Sequence, residues 1–232
     1  ASWAKQARIK YRIGTSHRLF HWLTCTIRVS FTRKNSPLHE SQLNFNLLKP
    51  LGLNTIPSLE EINSLPNGFR VPITNTPFNP GYVILHPLSQ GSAIDYPLNK
   101  YVALAEILVR RGKQVLITGT AKEGSRIGSA FNHLSGVENV CGQFSLSELI
   151  TLISNAEALI ACSTGPLHIA GILNVKAIGL FSARVPIHPG RWRPLGNQSI
   201  AMVNDPYCNQ CARGEDCQCI TEIPVTKIVD AI

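Results

Sequence analysis

Between residues 82 and 182, short apolar segments alternate with segments whose apolar residues recur at helical spacing. The apolar segments, such as YVILHPL and QVLITGT, have the length of buried strands. We predict strands at residues 82–88, 114–120, 137–142, 158–162 and 176–182, and helices at residues 98–112, 121–134, 145–156 and 164–173. Repeated β–α units of this kind form a parallel sheet with helices on both faces. The predicted fold class is therefore α/β, with a Rossmann-like layer.

The first 75 residues predict part of a second α/β domain. The segments RIKYRIGTS and IRVSFTR have strand character, and HESQLNFNLLKPLG has the pattern of a helix that ends at Pro50 and Gly52. Residues 63–80 suit an interdomain linker because they carry four prolines, Pro66, Pro72, Pro77 and Pro80. We therefore predict two domains, at residues 1–75 and 76–232. Since the chain starts at Ala1, we expect a fragment that lacks an N-terminal segment.

The positive charge of the chain is concentrated near its start. The net charge is +8, and the first 50 residues hold nine lysines and arginines against Glu40 alone. A basic segment attracts acidic headgroups, phosphorylated glycans or nucleic acid, but it can equally be a solvated face. We expect no nucleic-acid partner, because the chain carries no DNA- or RNA-binding motif. No apolar run approaches the roughly 18–20 residues of a membrane span.

Two predicted loops follow strands of the sheet and suit an anion. The first is the small turn Ser89, Gln90, Gly91 and Ser92, which offers backbone N–H groups and hydroxyls. It matches no P-loop or dinucleotide-binding pattern, so by itself it is a weak signal. Because the carboxyl ends of parallel strands meet at one edge, we expect this loop to share a rim with the second one.

The second loop opens the predicted helix in CSTGPLHIAGIL, residues 162–173. Ser163 or Thr164 can cap this helix through a hydroxyl. Gly165 lets a ligand approach the backbone, and Pro166 loses no hydrogen bond in a first turn. The N–H groups and the dipole of such a helix attract a phosphate, to which His168 can donate. The alternative is an ordinary capped helix with His168 packed in the interior.

Four segments, in this order, resemble the C-terminal domain of glycosyltransferase family 9, the ADP-heptose:lipopolysaccharide heptosyltransferases and their relatives. They are HPLSQGSAIDYPLNKY, ITGTAKEGSRI, ISNAEALIACSTGPLHIAGIL and HPGRWRPLG. The resemblance extends from about residue 80 to the C-terminus, and YRIGTSHR more loosely resembles the end of the family's N-terminal domain. It implies a GT-B-like architecture, with a complete Rossmann-like domain here and the remnant of an N-terminal, acceptor-side α/β domain.

The resemblance also implies an activity, partners and a location. The activity is inverting transfer of heptose or a related sugar from an ADP-sugar to the lipopolysaccharide core, with no cofactor required. The partners are a nucleotide sugar and a lipid A–core acceptor. The location is cytoplasmic, with peripheral contact at the inner membrane.

The resemblance implies a role for particular residues. Glu123 corresponds to an acidic residue near the nucleoside, where a carboxylate can accept from ribose hydroxyls. The family's general base is an aspartate near the start of its N-terminal domain, which we expect upstream of Ala1, so no catalytic residue is assigned. From their charge alone, Arg18, Arg191 and Arg193 are candidates for contacts with acceptor or phosphate. The alternatives are a half-buried helix around Arg18 and a surface loop at residues 188–196. The donor diphosphate is expected to lie against Ser89, Gln90, Gly91, Ser163, Thr164, Gly165, Pro166 and His168.

Two residues depart from the family's pattern. Cys162 stands where relatives usually carry aspartate, and Ile94 stands where they often carry a basic residue. The loss of a carboxylate and a cation from a donor site would weaken catalysis or shift sugar specificity. The departures therefore leave open a second reading, a degenerate nucleotide-sugar-binding or scaffold protein of the same fold.

Four of the seven cysteines lie within twelve residues, in the segment CNQCARGEDCQC. Four thiolates can hold zinc tetrahedrally, and the C-x-x-C spacing is usual for such a site, although C-x-C is tighter than most. Disulfides and free thiols are the other two readings, and a cytoplasmic location would disfavour disulfides. The candidate zinc ligands are Cys208, Cys211, Cys217 and Cys219.

Overall fold

The structure is a computed structural model that describes residues 1–33, 36–65 and 68–232. The chain divides into two compact units, Ala1–Leu65 and Pro66–Ile232. Lys34 of the basic segment and Pro66 of the predicted linker lie outside the described residues. The assignment of the first 75 residues to an acceptor-side domain stays a prediction.

In the first unit, the described residues form two short parallel strands, β1 (Ile13–Thr15) and β2 (Ile27–Val29). Its helices are α1 (Ser2–Gln6), α2 (Leu19–Thr24), α3 (Glu40–Phe45) and α4 (Leu59–Ser64). The helix predicted at residues 39–52 is divided, because α3 passes into a 3₁₀ helix at Asn46–Leu51 that contains Pro50. It ends at Gly52, whose φ of 99° is left-handed, as predicted.

In the second unit, the described residues form one sheet of six parallel strands in the order β5-β4-β3-β6-β7-β8. The fold class predicted from the sequence is confirmed, and five of the strands lie inside predicted segments. The sixth, β8, was not predicted. The strands are β3 (Val83–His86), β4 (Val115–Ile117), β5 (Val137–Asn139), β6 (Ala158–Cys162), β7 (Lys176–Leu180) and β8 (Ile200–Met202).

In the second unit a helix follows each of the strands β3 to β7, as the crossover connections of a parallel sheet need. The helix predicted at residues 121–134 is shorter than expected, because Gly128 adopts a φ of 55° just after it. None of the helices in the described ranges has the length and apolar character that crossing a membrane would need. The helices are α5 (Leu98–Arg110), α6 (Ala121–Ile127), α7 (Leu146–Ser154), α8 (Gly165–Ile172), α9 (Pro189–Trp192), α10 (Asn209–Arg213) and α11 (Val225–Val229).

The core lies on both faces of this sheet, because successive side chains of a strand point to opposite faces. In β3, Val83 and Leu85 join the cluster that contains the apolar side of α5, whereas Ile84 joins the cluster that contains α7 and α8. All three side chains are fully buried. The near-continuous apolar strands of the sequence are therefore explained by burial on both faces.

Within the described ranges, four helices begin with a reciprocal capping box. In α6 and α7 the N-cap hydroxyl accepts from the N3 backbone, and the N3 glutamate accepts from the N-cap backbone. This confirms the box predicted at Ser145 and Glu148. In α3 the same arrangement uses His39 and Gln42, so a glutamine can also occupy the N3 position of such a box. Helix α4 is the fourth.

Candidate functional site

The strand order reverses between β3 and β6, and the loops that follow these two strands part there. In open α/β sheets, ligands bind at such a point, outside the carboxyl ends of the strands. Two cavities, of about 360 Å³ and about 300 Å³, open at this edge. Ser92, Thr164 and Gly165 line both of them, so the predicted loops do share one rim.

The start of α8 borders both cavities. Thr164 is its N-cap residue, but the threonine side chain makes no capping hydrogen bond, contrary to the prediction of a hydroxyl cap. The Oγ1 atom of Thr164 is buried and has no hydrogen-bond partner in the described part of the chain. Gly165 begins the helix and Pro166 follows it, where no N–H is lost. The first-turn N–H groups have no partner within the helix, so they and the Thr164 hydroxyl are available to an anion.

The loop after β3 forms a tight turn. The N–H of Ser92 donates to the carbonyl oxygen of Ser89 at 3.0 Å, and Gln90 and Gly91 both have positive φ, 52° and 83°. The Ser89 hydroxyl is buried and donates to the carbonyl oxygen of Ala93 at 3.0 Å, so this side chain organises the loop. The Ser92 hydroxyl donates to the carbonyl oxygen of Ser163 at 3.1 Å and ties the two loops together. Gln90, Ser89 and Ser92 all line the smaller cavity.

Glu123, in the first turn of α6, lines the smaller cavity and is 3% exposed. Its Oε2 accepts from the backbone N–H and the hydroxyl of Thr120, both at 2.8 Å. Its Oε1 is buried and has no hydrogen-bond partner in the described ranges. Burial alone would raise the pKa of Glu123, but the hydrogen bonds from Thr120 and the nearby His86 hold that pKa below its usual value. A charged carboxylate with one unused oxygen therefore faces the site.

His86, at the end of β3, also lines the smaller cavity, and the sequence reasoning did not select it. It is 8% exposed, and its Nδ1 lies 2.9 Å from the Thr118 hydroxyl oxygen. Burial lowers the pKa of His86, against the opposing effect of the Glu123 and Asp95 carboxylates. The imidazole is therefore neutral at pH 7. The sequence does indicate this role, because His86 lies near the end of a predicted strand, just before the loop that suits phosphate.

The larger cavity has a basic and aromatic wall. It is lined by His168 of α8 and by Arg191 and Trp192 of α9, as well as by Pro186 and Ile187. The imidazole of His168 lies 6.2 Å from the Trp192 ring, centroid to centroid. His168 is half-buried on this wall, so the reading of an interior histidine is wrong. Sequence reasoning placed Arg191 near the site but missed Pro186 and Ile187.

Two of the three arginines with predicted contacts, Arg193 and Arg18, are not among the residues that line the cavities. Arg193 is exposed and does not line either cavity. Arg18 is exposed in the first unit, directly before α2, and its contact with an acceptor or phosphate stays a prediction.

Cys162 and Ile94 line neither of the two cavities. The alternation along β6 directs the Cys162 side chain toward the face of the sheet that carries α5, opposite to α8. There it is 1% exposed, and its Sγ accepts from the backbone N–H of Tyr96 at 3.3 Å. Burial raises the pKa of Cys162 to about 12, and the nearby Asp95 acts in the same direction. Ile94 packs partly buried against the same core cluster. Cys162 is therefore a core residue, and Ile94 packs against the core.

The four clustered cysteines come together in the fold. Their sulfur atoms all lie within 4.8 Å of one another. All four are free thiols, of which Cys211 and Cys219 are buried and Cys208 and Cys217 are half-buried. Such a set of ligand atoms can hold a metal ion.

The comparison with known families decides the relationship that the motifs suggest. The sequence profile of glycosyltransferase family 9 (heptosyltransferase) matches residues 26–220, most of the chain. The chain belongs to glycosyltransferase family 9.

Individual members of family 9 resemble different lengths of this chain. Lipooligosaccharide heptosyltransferase 2 of Haemophilus ducreyi is 31% identical over 115 residues, which cover 47% of this chain and 33% of that protein. Lipopolysaccharide heptosyltransferase 3 of Escherichia coli is 23% identical over 236 residues, which cover 95% of this chain and 68% of that protein. The solved structure of E. coli ADP-heptose lps heptosyltransferase II has a similar fold, with a TM-score of 0.68 at 16% identity over 98% of this chain and 70% of that one. The chain thus matches from a third to about two thirds of these family members.

Proposed function

We propose that this chain carries the donor site of a glycosyltransferase that moves heptose or a related sugar from an ADP-sugar to the lipopolysaccharide core, with inversion at the sugar. One observation carries the proposal. At the reversal of strand order, the uncapped start of α8 lies between groups suited to a nucleoside and groups suited to phosphate. Membership of family 9 and the similarity to lipooligosaccharide and lipopolysaccharide heptosyltransferases support the sugar and the acceptor.

The charges on the two cavity walls suggest the direction of the bound donor. The Glu123 carboxylate would repel phosphate but can accept from the hydroxyls of a ribose, so the nucleoside belongs in the smaller cavity. The Arg191 guanidinium and the His168 imidazole line the larger cavity, and both can donate to phosphate oxygens. The diphosphate then crosses Thr164 and Gly165, which border both cavities.

The arrangement suits the departure of a nucleoside diphosphate. When the bond between sugar and phosphate breaks, negative charge develops on the diphosphate oxygens. The N–H groups and the positive end of α8, together with Arg191, are fixed where that charge would develop, so they lower the barrier without reorganising. The acceptor hydroxyl must also lose a proton, and we assign that role to no residue of this chain.

The acceptor side of the proposal rests on the first unit. We propose that its basic residues, including Arg18, meet the anionic lipid A–core acceptor and keep the enzyme in peripheral contact with the cytoplasmic face of the inner membrane. The alternative of a degenerate binding or scaffold protein is not favoured. It depended on Cys162 and Ile94, but Cys162 is a core residue and Ile94 packs against the core.

Titration calorimetry with ADP, ADP-heptose and adenosine tests the donor site. We expect one site for ADP, with adenosine at least roughly tenfold weaker because it lacks the charge-assisted contacts of the diphosphate. Acceptor-dependent release of ADP from ADP-heptose then measures transfer. The proposal fails if neither ADP nor ADP-heptose gives heat or raises the melting temperature at concentrations of about 1 mM.

A further inference from the structure

The segment that follows β8 gathers four thiols around one point. Cys208 is the N-cap residue of α10 and Cys211 lies within that helix, while Cys217 and Cys219 lie in the irregular segment that follows. The turn is closed by hydrogen bonds from Ala212 N–H to Cys208 O and from Gly214 N–H to Cys211 O, both 3.0 Å. These bonds fix the C-x-x-C pair in one helical turn, and the chain that follows brings the sulfur atoms of the C-x-C pair close to it.

The spacing of the four sulfur atoms favours a shared ligand. Around a tetrahedral zinc ion with Zn–S bonds of about 2.3 Å, sulfur atoms are about 3.8 Å apart. The upper limit of 4.8 Å for every pair is near that value, so a small adjustment would place all four around one ion. Cys211 Sγ and Cys217 Sγ lie 2.8 Å apart, which is longer than the roughly 2.05 Å of a disulfide bond, and all four cysteines are free thiols.

The surroundings of the cluster are unlike those of thiols that merely fill a core. Cys208 and Cys217 are half-buried, and the intervening loop carries Arg213 and Glu215, which form an exposed ion pair at 2.6 Å. Cys211 and Cys219 are buried, but a thiol is small and buries little apolar area, so hydrophobic packing alone gives little reason for all four to meet.

We propose that Cys208, Cys211, Cys217 and Cys219 form a tetrathiolate site for one divalent d-block cation of the zinc or ferrous class. Binding would deprotonate the thiols and release their protons to solvent, and four sulfur ligands would leave no open position for a reacting group. The site is therefore structural. It lies apart from the donor cavities and goes beyond the proposed glycosyl transfer.

The cluster is connected to the wall of the larger cavity. The Arg184 guanidinium donates to the carbonyl oxygen of Gly214, within the cysteine loop, at 2.7 Å. Arg184 comes just before Pro186 and Ile187, which line that cavity. On the other side, Cys219 is followed by Ile220, which is 2% exposed in the core. A metal ion would thus fix a surface loop between the core and the loop that bounds the donor site.

The test is the metal content of the full chain, purified under reducing conditions and analysed by inductively coupled plasma mass spectrometry. We expect about one equivalent of zinc or iron per chain, and the element found distinguishes the two. Cys217→Ser removes a half-buried ligand and should lower the bound metal at least about tenfold. Cys25→Ser, which changes a buried thiol of the first unit, is the matched control and should keep the metal.

A second measurement keeps the inference falsifiable if Cys217→Ser does not fold. The wild-type chain is stripped with a chelator, and its melting temperature is compared before and after zinc is returned. We expect a fall on removal and recovery with about one equivalent of zinc. A chain without metal that neither takes up zinc nor gains stability from it overturns the inference, as does an intact-mass measurement that finds two disulfides in place of four thiols.

Discussion

The Glu123→Gln substitution tests the donor site most directly. It replaces the carboxylate with a neutral amide and keeps the helix cap. In wild type, Oε2 completes the capping box of α6 and Oε1 is buried without a partner in the described ranges. Glutamine can serve at the N3 position of such a box, as Gln42 does in α3. The helix should therefore keep its start, and the site should lose its carboxylate.

The expected loss follows from the strength of a hydrogen bond to a charged group, about 1.5–3 kcal/mol. If Oε1 accepts from a ribose hydroxyl, the Kd for ADP should rise roughly 10- to 100-fold. The Kd is measured by titration calorimetry at pH 7, where the lowered pKa keeps Glu123 charged. The same samples give the melting temperature.

Glu148→Gln is the matched control. Glu148 completes the capping box of α7 in the same way, with Oε2 accepting from Ser145 N–H and hydroxyl, but it lines neither cavity. Both variants lose one negative charge and keep one cap, so only Glu123→Gln should weaken ADP. If the two variants bind ADP equally well while keeping their melting temperatures, Glu123 does not contact the nucleoside.

Three further predictions concern the glycines of α8, the buried thiol and the buried histidine. Gly165→Ala should keep the melting temperature but weaken ADP binding, because the added Cβ meets no protein atom and projects at the rim. Gly171→Ala should lose about 1–3 kcal/mol of stability, because its added Cβ would contact the carbonyl oxygen of Leu195. Equal losses of stability in the two variants would contradict this prediction. Cys162, with a pKa of about 12 and 1% exposure, should resist alkylation in the folded chain at pH 8 and react once unfolded, as peptide mass spectrometry can show. Because the pKa of His86 is lowered in the folded state, the unfolded chain takes up the proton first as the pH falls. His86 therefore contributes to stability above about pH 6.5, and this contribution is lost as the pH falls below that value. His86→Asn should therefore flatten the dependence of the urea midpoint on pH between about 7 and 5.5, and parallel profiles for the two proteins would refute the assignment.

The fold of the second unit was readable because its strands are buried on both faces. Segments such as 158–162 are apolar throughout and lie between helical patterns, and β6 occupies that segment without a shift. Strand β8, Ile200–Met202, was missed because it follows a loop without a periodic pattern. The helix predicted at residues 121–134 was too long, because the conformation of Gly128 is not encoded in hydrophobic spacing.

The site was predictable in its residue types but not in the direction of its side chains. Thr164 and Gly165 were identified from a small-residue turn before a helix, and both border the cavities. Ser89 was identified by type as well, but its hydroxyl is used inside its own loop. Cys162 was placed at the donor site because the resemblance puts it where relatives carry aspartate. A sequence does not state on which side of the sheet the last residue of a strand points, and in β6 it points to the α5 side.

Helix α8 begins at the border of both cavities without a side-chain cap, as α5 and α9 also begin without one. In helices α3, α4, α6 and α7 the N-cap side chain accepts a hydrogen bond from a first-turn N–H group, whereas the N-cap side chain of α8 accepts none. A missing cap forgoes roughly 1 kcal/mol in the empty protein, which a bound anion would restore. The amide hydrogens of this turn should therefore exchange quickly without ligand and slow sharply with it. A substitution that supplied the missing cap would stabilise the protein without ligand, but it would weaken donor binding because the cap would occupy the same N–H groups. At this turn, a gain in stability therefore costs binding affinity.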